Sequence, residues 1–553
     1  MTGRTPDLIL HSGQVWSDEG WVEAMVIVDG IIKRVGTSQE ILASEVQDGA
    51  RVIDLNGRVV LPGLHDLHVH PVFAGTRASR CRIPQGSSLE ETLRIVGEAA
   101  AQAKPGEWVL GGQWDASALG GVPNRYMLDS VAPNVPVVLE DTSAHSSWAN
   151  SMALSLGGVS AETPDPQDGI YERDEDGEPT GIQRETAAYL LAAVAPTPTQ
   201  ADVERDLAWA LHEMLSFGIT SFTEAALGFT AGARTEIRAY NALAERGVIK
   251  QRIRISITWE PAELEQLEVI EDRNFYACGR MKTDGIKIFL DGVPTDGHTA
   301  AMLQPYADTV EGRDDEASRH GMLKFHPDVL NEAVANFDRL GLTVKFHAAG
   351  DAAVRAALDA IEFARVQNGI GPQMHNVGHC TFVSEPDIVR AREIGATFEV
   401  SPYLWQPTPI CSDIAAAVGP DIIRRVWPIR EMLDSGALVV AGSDWSVVPS
   451  VNPWIGIETM VTREEPGGSV ETFGKEEAVT IEEALEIFTA NAARQEGMAD
   501  RIGRIAPGLI ADVIVVDRNP LTVPVYEIHA TQVDYTIIEG EVVFDRAAES
   551  GSP

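Results

Sequence analysis

Two histidines one residue apart, His68-Val69-His70, are the first residues whose type and spacing could do chemistry. On a β-strand, residues two apart project to the same side, so both imidazoles could meet one metal ion. Alone, a His-x-His pair is a weak signal. Three more polar residues strengthen it by closing apolar, strand-like runs. His347 ends Leu342-Thr343-Val344-Lys345-Phe346, His379 follows Asn376-Val377-Gly378, and Asp444 ends Leu438-Val439-Val440-Ala441-Gly442-Ser443. Each is, by itself, equally an ordinary polar strand end. Four imidazoles and a carboxylate together make a donor set for a borderline divalent metal such as zinc.

Lys287 lies inside Gly285-Ile286-Lys287-Ile288-Phe289-Leu290. An ammonium within an apolar strand is costly to bury and needs a partner. One solution is carbamylation by carbon dioxide, which turns the amine into a carboxylate-like bridge between two metals. The alternatives are a buried salt bridge, with Asp291 as one candidate, or a single-metal site at which Lys287 stays an amine.

These residues need elements to position them. Apolar β-like runs fall near 64–70, 219–224, 252–259, 285–290, 342–347, 374–379, 396–401 and 438–443. Amphipathic helical stretches alternate with them, at 201–217, 235–247, 326–340, 351–365 and 421–435. Val203, Leu207, Ala210, Leu211, Met214 and Leu215 form one such helical stripe. Eight strands alternating with helices predict an α/β fold, a (β/α)8 TIM-like barrel, in which catalytic groups sit at the C-terminal strand ends. The competing doubly wound sheet lacks its Gly-rich phosphate fingerprint after the first strand.

Both ends of the chain read as β-rich. Ala24–Val28, Asp29-Gly30 and Ile31–Val35 suggest a hairpin, and Arg51–Leu55 leads through Asn56-Gly57 to Arg58–Leu61. Tyr535–Ile538, Glu539-Gly540 and Glu541–Phe544 repeat the style. The expected organisation is a small β-sandwich domain formed from both termini, residues 1–61 and 501–553. The barrel would occupy 62–500, with an insertion after the first barrel strand at about 82–195. That insertion contains an acidic loop, Asp165 to Glu178, and could overhang the barrel mouth.

The formal net charge of −39 would repel phosphate backbones, so no nucleic-acid partner is expected. The acids are spread along the chain, which reads as a solvated acidic surface. The four cysteines are far apart and suggest neither a disulfide framework nor a zinc knuckle. No signal peptide and no apolar run of about 18 residues is apparent, which predicts a cytoplasmic protein with no membrane partner.

The sequence resembles the amidohydrolase superfamily and, within it, the YtcJ-like amidohydrolase 3 family. The resemblance is carried by Gly57 through His70, by Gly285-Ile286-Lys287-Ile288-Phe289-Leu290-Asp291-Gly292, and by Thr299-Ala300 and Pro305-Tyr306. His347-Ala348-Ala349-Gly350-Asp351-Ala352-Ala353-Val354, Gly442-Ser443-Asp444-Trp445, Asn452-Pro453 and Gly503 through Asp512 extend it. It implies that His68, His70 and Asp444 bind the more buried metal. His347 and His379 would bind a second metal or help bind substrate. Lys287 would be a carbamylated bridge if the site is dinuclear, and Asp444 would take the proton from attacking water. The cofactor implied is one or two divalent ions, zinc first, and a homodimer is suggested.

Ala144-His145-Ser146-Ser147-Trp148 resembles an insertion segment whose histidine reaches towards substrate, although Ser143-Ala144 stands where relatives often carry glycine. His145 in that segment, Trp114 as an aromatic pocket wall, and His298, just after the Lys287 strand, are candidate substrate-binding residues, against plain structural or core-packing roles. The expected reaction is hydrolysis of a non-peptide C–N bond (amide, N-formyl or carbamate-like) in a small molecule. A deaminase, isomerase or decarboxylase on the same barrel is the alternative. A non-enzymatic binding protein fits less well, because the ligand set is complete.

Overall fold

A computed structural model of the chain describes residues 7–46, 49–84, 86–141, 146–166, 169–295, 298–307 and 319–549. Contacts divide the chain into two compact units, Met1–Pro71 with Ala208–Pro553, and Val72–Leu207. The larger unit contains an eight-stranded parallel sheet. In chain order its strands are Leu64–Val69, Ile219–Leu227, Arg252–Thr258, Met281–Phe289, Thr343–Ala348, Asn376–His379, Thr397–Val400 and Leu438–Ala441. Each pairs in parallel with the next, and most strand residues are buried. Strands covered on both faces read as near-continuous apolar runs, which is why they were visible in the sequence.

The seam between the last strand and the first is closed by backbone just beyond the ladder. Asp444 N–H donates to His68 O at 2.7 Å, and His70 N–H donates to Trp445 O at 2.7 Å. Asp66 adds a side-chain tie, its Oδ1 accepting from Ser443 N–H at 2.9 Å and His68 N–H at 3.2 Å. Gly442 permits this approach, because a Cβ there would lie 2.3 Å from His68 Cβ. Closure therefore brings the first-strand histidines beside Asp444.

Two further sheets form the β-sandwich from both termini. One holds Leu8–His11, Ala24–Val28, Ile31–Gly36 and Arg51–Asp54. The other joins Gln14–Ser17, Gly20–Val22 and Val59–Pro62 to Val513–Val516, Val533–Ile538 and Glu541–Asp545. Leu8, Leu10, Met25 and Ile27 pack against Val15, Val60, Val513, Val515 and Ile537 in their shared core. Two-residue turns with positive φ at both positions close two hairpins, Asp29-Gly30 (49° and 73°) and Glu539-Gly540 (50° and 77°). Asn56-Gly57 also has positive φ, but it carries the chain from one sheet to the other rather than closing a hairpin.

The second unit, Val72–Leu207, is built on a six-stranded mixed sheet. The stretch expected as an acidic loop contains a strand, Gly169–Arg173, paired antiparallel with Pro179–Glu185. The helix predicted over 421–435 is broken. An α-helix ends at Ile422, a 3-10 turn covers Ile423–Arg425, and a new helix runs Ile429–Asp434. Pro428 has no amide hydrogen to donate, and Trp427 turns the chain at φ 47°. Among the described residues, no helix is long and apolar enough to cross a membrane.

Candidate metal centre

The first barrel strand ends at Val69, so His68 and His70 project from its C-terminal end. Asp444 sits just past the eighth strand in a left-handed conformation, φ 60°. His379, the last residue of the sixth strand, has φ 70°. Left-handed backbone is uncommon for non-glycine residues and recurs where a site imposes geometry. Among the described residues, one ligand atom each from His68, His70 and Asp444 lies within 4.8 Å of the others. His70 Nε2 is 3.2 Å from Asp444 Oδ1 and His68 Nε2 is 3.7 Å from it. Ring centroids then continue the chain of imidazoles: His68 to His379 at 4.8 Å and His379 to His347 at 4.5 Å. Lys287 Nζ is 3.2 Å from His68 Nε2. The structure thus brings together His68, His70, Lys287, His347, His379 and Asp444.

Each imidazole also has an oxygen facing its Nδ1. His68 Nδ1 hydrogen-bonds Glu399 Oε1 on the seventh strand. His70 Nδ1 is 3.7 Å from Glu224 Oε1 on the second. His347 Nδ1 bonds Asp291 Oδ1 at 3.0 Å, and His379 Nδ1 meets Ser401 Oγ at 3.4 Å. A partner at Nδ1 leaves Nε2 as the ring's remaining donor, which is the arrangement metal-ligating histidines use. Asp291 is fully engaged, since it also accepts from the N–H groups of Ala301, Ala349 and Gly350.

The electrostatics point the same way. Burial, with the charges of Lys287 and Lys345, holds His68 well below the ordinary imidazole range. Burial and His347 do the same to His379. Both rings therefore keep a lone pair for a ligand. Burial also pulls His70 down, but the hydrogen bond to Asp444 and the facing Glu224 carboxylate outweigh it and push that imidazole up to about 9. Burial alone would raise Asp444, yet its hydrogen bond to His70 and the charge of His379 keep it below the usual carboxylate value. Burial brings the Lys287 ammonium down to about 7, against the pull of Asp444 and Glu224. An anionic oxygen beside the neutral imidazoles of His68 and His379 fits a divalent cation, which would replace the proton that Asp444 and Glu224 draw onto His70.

The residues expected to bind substrate have different surroundings. His298 is buried and stacks on Tyr306, centroids 4.2 Å apart and planes within 7°. Trp114 belongs to the second unit, where it packs edge-on against Trp148 in a hydrophobic core and donates Nε1–H to Leu139 O. His145 lies outside the described residues. Glu399, Glu224 and Lys345 were not singled out from the sequence. The signal that marked Lys287, a charge inside an apolar strand, was present in Thr397-Phe398-Glu399-Val400 and Thr343-Val344-Lys345-Phe346 too.

A closed (β/α)8 barrel with a histidine-and-aspartate cluster at its strand ends defines the class of metal-dependent hydrolases. The amidohydrolase family model matches residues 51–544, and the chain belongs to that family. It is YtcJ-like: it is 26% identical to the protein YtcJ of Bacillus subtilis (strain 168), covering 98% of this chain and 99% of that one. It is 28% identical to an N-substituted formamide deformylase of Arthrobacter pascens, covering 95% of each. An uncharacterized metal-dependent hydrolase from Pyrococcus furiosus superposes with a TM-score of 0.74 at 25% identity, over 93% of this chain and 100% of that structure.

Proposed function

We propose that this protein hydrolyses a non-peptide C–N bond, of the amide, N-formyl or carbamate-like type, in a small molecule. The observation that carries the reading is the cluster of His68, His70 and Asp444, joined by His379 and His347, with His68, His347 and His379 hydrogen-bonded at Nδ1. His68, His70 and Asp444 would hold one divalent ion, zinc being the best match to the donors, and His347 and His379 a second. Such an ion supplies a Lewis acid that polarises the carbonyl and acidifies water.

The chain's own groups do the rest. The Asp444 carboxylate is the base that takes a proton from the attacking water and passes it to the departing nitrogen. Burial excludes bulk water around that carboxylate. Lys287, its amine brought down to about 7, would react with carbon dioxide to give a carbamate, releasing a proton, and would then add a carboxylate-like ligand if two ions bind. The similarity to a formamide deformylase over nearly the whole chain supports an N-formyl or N-acyl substrate.

The test is metal content per chain, with His68→Ala alongside, followed by incubation with N-substituted formamides. Tightly held divalent metal lost in the variant, with formate and amine released in equal amounts, supports the reading. Ammonia released instead from an aminopurine nucleoside, with the formamides left intact, would move it to deamination. No metal in either protein, after reconstitution with zinc or manganese, would sink it.

A further inference from the structure

Below the metal cluster, the barrel interior holds a second charged group that the proposed chemistry does not use. Glu399 on the seventh strand and Lys345 on the fifth are both buried, and their side chains form an ion pair. Asn376, on the strand between, donates Nδ2–H to the same carboxylate oxygen, Oε2, at 3.2 Å. The other oxygen, Oε1, takes the hydrogen bond from His68 Nδ1. Gly378 stands beside that bond: a Cβ there would come within 3.1 Å of Glu399 Oε1 and 3.5 Å of His68 Nδ1.

A buried charge pair is weak evidence for stability, because apolar residues of similar volume often serve as well. Something other than stability should therefore account for one placed against a ligand. We infer that Lys345 and Glu399 form a positioning device for His68, which keeps the proton on Nδ1 and the lone pair on Nε2. A carboxylate is acceptor-only, so its bond to Nδ1 fixes the tautomer. Lys345 and Asn376 fix the rotation of that carboxylate by occupying Oε2. The missing side chain at Gly378 leaves room for the contact. Lys287, 3.2 Å from His68 Nε2, lies on the opposite side of the ring, so the imidazole is addressed at both nitrogens.

The inference rests on the metal site proposed above, and the experiment separates the two. Zinc affinity is measured on the full chain by competition with a chelator, for wild type, Glu399→Gln, Lys345→Met and Gly378→Ala. Urea unfolding of each metal-free protein and the visible spectrum of its cobalt(II) form are recorded in parallel. A glutamine can donate to Nδ1 as well as accept, so the tautomer is no longer fixed. Glu399→Gln should weaken zinc binding about 10- to 100-fold, the usual effect of losing such a partner, and alter the cobalt spectrum. Lys345→Met should do so more weakly. Gly378→Ala keeps both charges and crowds the bond together with Phe346 O, 2.8 Å from the new carbon; a loss of about tenfold or more there, with metal-free stability kept, supports the device even if the charge variants do not fold. Wild-type affinity in Gly378→Ala together with either folded charge variant overturns the inference alone, as does a loss that only tracks metal-free stability. A wild type that binds no zinc overturns the metal site and this inference together.

Discussion

Gly442→Ala tests the link between barrel closure and the site. The added carbon would sit 2.3 Å from His68 Cβ, 2.4 Å from His68 N and 2.7 Å from His68 Cα. Ordinary carbon contacts lie at ~3.5–4.0 Å, so the seam must open by about 1 Å. The obstacle is the backbone of the first strand, which cannot rotate away. Overpacking of this kind costs ~1–3 kcal/mol of stability, which an enzyme of this size tolerates. The metal is less tolerant, since ligand distances hold to within ~0.2 Å. His68 would be displaced and the Asp444 N–H···His68 O bond stretched in one step. The expected result is a folded protein with metal affinity reduced at least as far as by Glu399→Gln. Chelator competition and urea unfolding measure the two parts. Gly121→Ala, whose new carbon meets nothing within 4 Å, is the control. A Gly442→Ala protein with wild-type metal affinity would refute the argument that the seam sets the site.

Other consequences can be checked the same way. Lys287→Ala should lower bound metal from two ions to one and abolish the carbamate signal from carbon-13 bicarbonate; unchanged stoichiometry would remove Lys287 from the ligand set. Asp291→Ala strands three backbone N–H donors, those of Ala301, Ala349 and Gly350, besides His347 Nδ1. At ~1–3 kcal/mol for each unsatisfied buried donor, it should destabilise by at least 3 kcal/mol in urea unfolding. Burial, with the charge of Arg252, pulls His65 from 6.5 down to about 3. Because the folded value is depressed, the unfolded chain binds the proton first, and this contribution is full above pH 6.5 and lost as pH falls towards about 3. Relative to His65→Gln, wild type should lose ~2 kcal/mol between pH 7 and pH 5, at ~1.4 kcal/mol per unit below 6.5. A pH-independent difference would show that His65 is not buried neutral.

The barrel was legible because its strands are buried on both faces and its helices on one. That contrast writes two periods into the sequence, and His68, His347, His379 and Asp444 stand where the apolar runs stop. Strand destinations at the N-terminus were less legible. A positive-φ Asn-Gly pair makes the same local turn whether the next strand joins its neighbour or crosses to another sheet, and only long-range pairing with Val513–Val516 decides between them.

The residues proposed to hold the candidate ligands in place were illegible for a different reason. His68 and Glu399 are 331 positions apart, and what joins them is parallel register: Gly378 pairs with Glu399, and the seventh strand's neighbour, the eighth, closes onto the first. A one-residue change in that register would turn Glu399 away from the interior. Local sequence cannot state register in a parallel sheet, because its strands are joined through helices rather than through turns of defined geometry. What local sequence can state is the anomaly: a charge in an apolar strand must have a partner. Applied to Lys287, that rule left open a carbamylated metal bridge, a buried salt bridge and a free amine. Applied equally to Lys345 and Glu399, it would have found two charges of opposite sign on strands two apart in the barrel order, and so the pair that meets behind His68.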